Sequence, residues 1–227
     1  MPSVRDVEYS VARSTRKTAA IYVERDGTVT VKAPQAASEQ QVQRLVERKL
    51  PWIYRTQAKW GELNHEPTGK EFVSGETFYF LGQACRLDMA SDVAEPLVLV
   101  GDRFILRSDR RHQAEELLRA FYRQAGYERL PALIAARSQS MGVKPDRLRV
   151  WDLNHRWASC SPAGNLNFHW RALGAPLDVL HYLVVHELAH LKERNHTPQF
   201  WQIVEMEMPG WREASDWLKS HGARMSL

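Results

Sequence analysis

The sequence predicts an α+β protein whose strands gather early and whose helices gather late. Residues 1–110 read as a β-rich region with one helical insertion, and residues 111–227 as a second, more helical region. Three observations carry this reading. Period-two alternation of apolar and polar residues around glycine-containing turns dominates the chain up to residue 107; such alternation marks half-buried strands. From His112 onward the apolar residues shift to helical spacing. Finally, the stretch 177–191 holds no helix breaker, and its run YLVVHELAHL, residues 182–191, is apolar almost all round, as in a helix buried inside a protein.

The elements are taken in chain order. AAIYVERDGTVTVKA, residues 19–33, alternates around Asp26-Gly27 and predicts a β-hairpin. Ser38 followed by Gln41 forms a capping-box start, and Val42, Leu45, Val46 and Lys49 continue at helical spacing to Pro51, where the helix is expected to restart and extend toward Trp60. Residues 71–89, broken by Gly75 and Gly82, read as short strands, and residues 97–106 as a hairpin around Gly101-Asp102. The softest boundary lies near Ser108 to His112. Leu117, Leu118, Phe121, Tyr122 and Ala125 then share one helical face, while Leu130, Leu133, Ile134 and Met141 predict a second helix ending at Gly142. Leu148 and Val150, then Leu166, Phe168 and Trp170, alternate with polar residues and read as a meander. No internal repeat or low-complexity segment stands out.

Composition narrows the function classes. The chain has 227 residues, of which 44% are hydrophobic and 26% charged, the balance of an ordinary globular protein. MPSVRDVEYS carries no apolar leader pattern, and no run approaches the about 18 apolar residues of a membrane span; the expectation is a soluble, cytoplasmic chain without a membrane partner. Cys85 and Cys160 form no CxxC pair, so neither a disulfide framework nor a four-thiolate zinc site is signalled. A net charge of +4 permits nucleic acid as a partner, but the basic residues are dispersed.

The chemistry gathers in HELAHLKERNH, residues 186–196. His186 and His190 stand four apart, so their side chains leave one helical face one turn apart, close enough to bind a single cation through imidazole nitrogens. Glu187 points about 100° away and is placed to act on water at that cation instead of ligating it. His196 cannot join on a continued helix, because six further residues would carry it about 9 Å along the axis. Asn195 as a left-handed stop, and Thr197-Pro198 as an N-cap followed by a first-turn proline, predict a corner that folds His196 back. Three nitrogens then leave a fourth position open, as at catalytic zinc. The competing reading is three hydrogen-bonded core histidines, each of which would need its own buried partner.

Several motifs in one order carry a family resemblance: SVARSTRKTAAIYVERDGTVTVKAP, the Trp52-Ile53 pair, GETFYFLGQACRL, RWASCSPAGNLNFHWRA, PLDVLHYLVVHELAHLKERNHTPQFW and MPGWREASDWLK. The sequence resembles the YgjP-like metallopeptidases and, more distantly, the SprT-like zinc peptidases. That resemblance implies a β-rich N-terminal region followed by a zincin-like metallopeptidase domain with an active-site helix, with Zn2+ held by His186, His190 and His196 and Glu187 as general base. It departs from the family pattern at Ala158, where Gly is usual, and at Gly210, where an acidic residue commonly follows Met-Pro. The metzincin histidine spacing is matched too, but Glu193 stands at that family's glycine. The implied reaction is hydrolysis of a peptide or protein substrate.

Other residues enter as candidates with plainer alternatives. Arg156 and His169 are candidate oxyanion stabilisers beside a structural reading, and the strand 165–171 is the candidate sheet edge for pairing with substrate. Tyr182, one turn before His186, could offer its hydroxyl or simply pack. Cys160 reads as a buried thiol in preference to a ligand. Trp201, Trp211 and Trp217 read as core, and Glu205 or Glu207 as either an orienting partner of a histidine or a solvated helix face. Two alternatives stay open: a zinc-stabilised binding module without catalysis, and a DNA-associated peptidase acting on DNA-bound proteins.

Overall fold

The computed structural model describes residues 2–24, 27–63, 70–153 and 156–225. The chain divides into two compact units, Met1–Glu66 and Pro67–Leu227. In the first, strands β1 (Ser3–Val4), β2 (Val7–Ser14), β3 (Ala20–Val23) and β4 (Val29–Pro34) form a sheet in the order β1-β2-β4-β3, with β2 and β4 parallel. The expected hairpin is β3–β4, paired from Ala20↔Lys32 to Val23↔Val29. Glu24 N–H donates to Thr28 O across its turn; Gly27 supplies a φ of 84°, and Asp26 lies outside the described residues. Strands β1 and β2 went unread in the sequence, although Val7, Tyr9 and Val11 alternate. Helix α1 (Glu39–Leu63) opens on the expected capping box: Gln41 N–H donates to Ser38 Oγ at 3.2 Å, and Ser38 N–H to Gln41 Oε1 at 2.9 Å. It runs through Pro51 without restarting. Val42, Val46, Leu50 and Ile53 form one buried stripe spanning the proline, so packing on both sides holds the helix together where one backbone bond is missing.

The second unit opens with the same plan. Strands β5 (Thr77–Phe80), β6 (Gln83–Ala90), β7 (Leu97–Val100) and β8 (Arg103–Arg107) are ordered β5-β6-β8-β7, again with the middle pair parallel, and lead to helix α2 (Ala114–Met141). The chain therefore repeats a ββββα topology that its sequence does not announce. Helix α2 is one helix, not two: Pro131 lies inside it, and it ends as expected at Gly142, with φ of 62°.

The boundary expected between residues 110 and 111 is displaced to Glu66 and Pro67. Phe78, Leu87 and Phe104 of the β5–β8 sheet share one core with Leu118 and Tyr122 of α2, so burial ties that sheet to the helix after it. The segment Ser108–Gln113 is a 3-10 turn leading into α2.

Three short strands complete the scaffold: β9 (Leu148–Trp151), β10 (Ala158–Cys160) and β11 (Leu166–His169), in the order β10-β11-β9. This is no meander, because β11 pairs parallel with β9 and antiparallel with β10. β11 is the central strand, so the expectation of a sheet edge at residues 165–171 is corrected: β10 and β9 are the edges. A 3-10 turn, Trp170–Gly174, then delivers the chain to helix α3 (Leu177–Ala189), followed by α4 (Pro198–Glu207) and α5 (Trp211–His221).

Candidate metal centre

Helix α3 is buried along most of its length, through Val179, Leu180, Leu183, Val184, Val185 and Leu188. Its apolar burial fixes the helix, and with it the polar residues it carries. His186 and His190 emerge half-buried, one turn apart. The helix ends at Ala189 with His190 in right-handed conformation, and Asn195 is not left-handed: Arg5, Phe72 and Leu81 are the non-glycine residues with positive φ among those described. The corner is built instead from hydrogen bonds. Lys192 and Glu193 donate to Ala189 O, Asn195 N–H donates to the Glu193 carboxylate, and Thr197 caps α4 by accepting from Phe200 N–H at 3.3 Å. This turn returns His196 to the other two histidines, as the spacing required.

The three imidazoles each offer a nitrogen, all within 4.8 Å of one another. His186 Nε2 and His196 Nε2 are 3.0 Å apart. His190 Nδ1–H donates to Glu193 O at 3.3 Å, which turns its Nε2 lone pair outward. Behind His186, the Tyr182 hydroxyl lies 3.4 Å from Nδ1. Phe200, fully buried, has its ring centre 4.9, 4.6 and 4.8 Å from those of His186, His190 and His196 and underlies all three. Burial lowers the affinity of each histidine for a proton, taking His186 down to about 3 with help from its two neighbours. At neutral pH all three present lone pairs.

Glu187 is 4% exposed. Burial pushes its carboxyl up to about 8, against the pull of the Arg156 charge and the Cys160 backbone amide. Its Oε2 is buried without a hydrogen-bond partner. A carboxyl raised in this way holds a proton at neutral pH, and a cation at the three convergent neutral imidazoles would favour its ionised form, the state a general base needs; the donor set suits zinc.

The remaining candidates separate. Arg156 is exposed and its charge reaches Glu187. His169 is tied elsewhere: its Nδ1 accepts from Arg171 N–H at 3.0 Å and its Nε2–H faces Asp152 Oδ1 at 3.1 Å, so neither nitrogen is left for an oxyanion. Tyr182 is buried behind His186 and stacks on Trp211. Cys160 stands outside the three-histidine group, its thiol pushed up to about 11 by burial and then by Glu187. Among the described residues, Glu205 and Glu207 have no hydrogen bond or ion pair to a histidine. Glu205 accepts from Trp211 Nε1–H and pairs with Arg212, and Glu207 accepts from Ser140. Sequence reasoning passed over Phe200 and the role of Trp201, which stacks on His196 at 5.6 Å and 24°; the signal available was their place in the first turn of the helix that follows the third histidine.

The model of the YgjP-like metallopeptidase domain matches residues 17–221. The chain belongs to the YgjP-like metallopeptidase family. As a YgjP-like protein it carries the α+β organisation expected, with helix α3 bearing His186 and Glu187 and with His190 at its C-cap. It is similar to the crystal structure of the metallopeptidase zymogen of Pyrococcus abyssi abylysin, with 26% identity, a TM-score of 0.37, and coverage of 39% of this chain and 90% of that one. Comparison with curated proteins gave no match. Among the described residues of this YgjP-like chain, no helix is long and apolar enough to cross a membrane.

Proposed function

We propose that this YgjP-like protein is a zinc-dependent peptidase, with His186, His190 and His196 holding the metal and Glu187 as general base. The observation that carries the proposal is the convergence of three imidazole nitrogens within 4.8 Å beside a buried carboxylate with an unpartnered oxygen. Zinc bound there supplies a Lewis acid that polarises a peptide carbonyl and acidifies water. Glu187 takes the proton of the attacking water on its carboxylate and hands it to the departing amine nitrogen. Arg156, exposed near Glu187, offers a guanidinium to the developing oxyanion.

The substrate edge falls on β10. On β9, Val150 N–H donates to the Tyr127 hydroxyl of α2 at 3.2 Å, which occupies that edge. On β10, Trp157 O accepts from His169 N–H and Ser161 N–H donates to Asn165 O, so these residues face β11. Alternation along an antiparallel ladder then turns the backbone groups of Ala158 and Cys160 outward. The Cys160 amide is engaged by Glu187, which leaves Ala158 to pair with an extended peptide and favours main-chain recognition over side-chain selection.

The test compares cleavage of an unfolded protein by the zinc-loaded chain and by Glu187→Gln, with metal content measured for both. Loss of cleavage in the variant, by about 100-fold or more with metal retained, is the expected result. Equal cleavage by the two proteins, or no metal in either, would sink the assignment.

A further inference from the structure

We infer that Glu205 is a positioning residue for the metal centre, acting through Trp211 and Trp201 on His196. The inference rests on the metal site proposed above and begins from an asymmetry among its three histidines. His186 has Tyr182 behind its Nδ1, and His190 has the Glu193 carbonyl behind its own. His196 lies on the exposed corner, and among the described residues its one hydrogen-bonding contact is the Nε2 approach to His186. A histidine at such a corner would sample several rotamers, and ordering it on binding would weaken affinity.

A column of rings holds His196. Its imidazole stacks on Trp201 at 5.6 Å and 24°; Trp201 stacks on Trp211 at 4.3 Å and 18°; Trp211 stacks on Tyr182 at 6.2 Å and 15°. Tyr182 then meets His186, so the column runs from one histidine round to another. Trp211 is the middle of this column, and it is anchored at one point: Nε1–H donates to Glu205 Oε2 at 2.6 Å. Arg212 completes the anchor, its guanidinium 4.7 Å from the centre of the Trp211 ring and 2.7 Å from the same carboxylate oxygen. The carboxylate thus sets the in-plane rotation of Trp211, the face offered to Trp201 and, through Trp201, the ring plane of His196. Glu205 itself is a surface side chain, 43% exposed, so its removal leaves the core intact.

The experiment titrates the metal-free full chain with Co2+, read by its visible absorption, and with Zn2+ against a chromophoric chelator, for wild type, Glu205→Ala and Glu205→Gln. Melting temperatures of the metal-free proteins are recorded alongside. Glu205→Ala is expected to weaken both metals by about tenfold or more, the usual scale for losing an orienting partner, at an unchanged melting temperature. Glu205→Gln, which keeps an acceptor for Trp211 Nε1–H, recovers most of that loss. An affinity of Glu205→Ala within about twofold of wild type, far below the scale of an orienting partner, or a Gln variant no better than Ala, overturns the inference while leaving the metal site standing. A wild-type chain that binds neither metal overturns the site and this inference together.

Discussion

Gly126 of α2 faces Val150 of β9 so closely that a β-carbon on it would lie 3.0 Å from Val150 Cγ1 and 3.3 Å from Leu173 Cδ2. The missing side chain lets α2 lie close against β9, and α2 also packs directly on the histidine helix. Gly126→Val should therefore overpack this contact and lower stability by about 1–3 kcal/mol, measured by denaturant unfolding. A variant as stable as wild type would show that the two elements separate without cost.

His196→Ala removes the one metal-site nitrogen that the helix does not supply. Metal affinity should fall by more than the about 10- to 100-fold typical of losing an outer partner. Equilibrium dialysis against a chelator checks this, with His169→Ala as the contrast expected to retain metal, since both His169 nitrogens are engaged by Arg171 and Asp152.

Ala158→Pro deletes the outward amide of β10 without touching the ladder to β11, and proline is tolerated on an edge strand in this orientation. kcat/KM for an unfolded protein substrate should drop while metal content and melting temperature hold. Unchanged kcat/KM would remove β10 as the pairing edge.

His169 gives the fold a pH dependence of stated sign. Its pKa is lowered from 6.5 to about 4, chiefly by burial and then by the Arg171 charge, with Asp152 opposing. Between those values the unfolded chain binds more protons than the folded one, so the stability that neutral His169 contributes is present above about pH 6.5 and lost as pH falls toward 4. Thermal melts of wild type and His169→Asn across this window should show the wild-type advantage shrinking with acidity. A constant difference would mean that His169 does not titrate differently on unfolding.

How much of this was legible in the sequence depends on whether the signal was local. The capping box at Ser38, the left-handed stop at Gly142 and the return of His196 all rest on a few neighbouring residues, and each is present. The restart read at Pro51 failed because tertiary packing outweighed a single lost hydrogen bond, and the two helices read between Leu117 and Gly142 are one, running through Pro131. Strand order failed for a related reason: alternation identifies β11 but says nothing about which strands flank it. The ring column from His196 to Tyr182 joins the corner after α3 to residues of three helices, and the aromatic character of Trp201 and Trp211 alone read as core.

Among the described residues, two sheets share one strand order, and the second is tied to the segment that leads into α3. At the β5–β6 turn, Leu81 N–H donates to Leu173 O at 2.7 Å and Gly82 N–H to Gly174 O at 3.1 Å, and a β-carbon on Gly82 would come within 3.0 Å of Pro176. That turn is moored at the threshold of the histidine helix. A disturbance of that turn would be transmitted to the start of α3, which makes the β5–β8 sheet part of the mechanical support of the histidine helix.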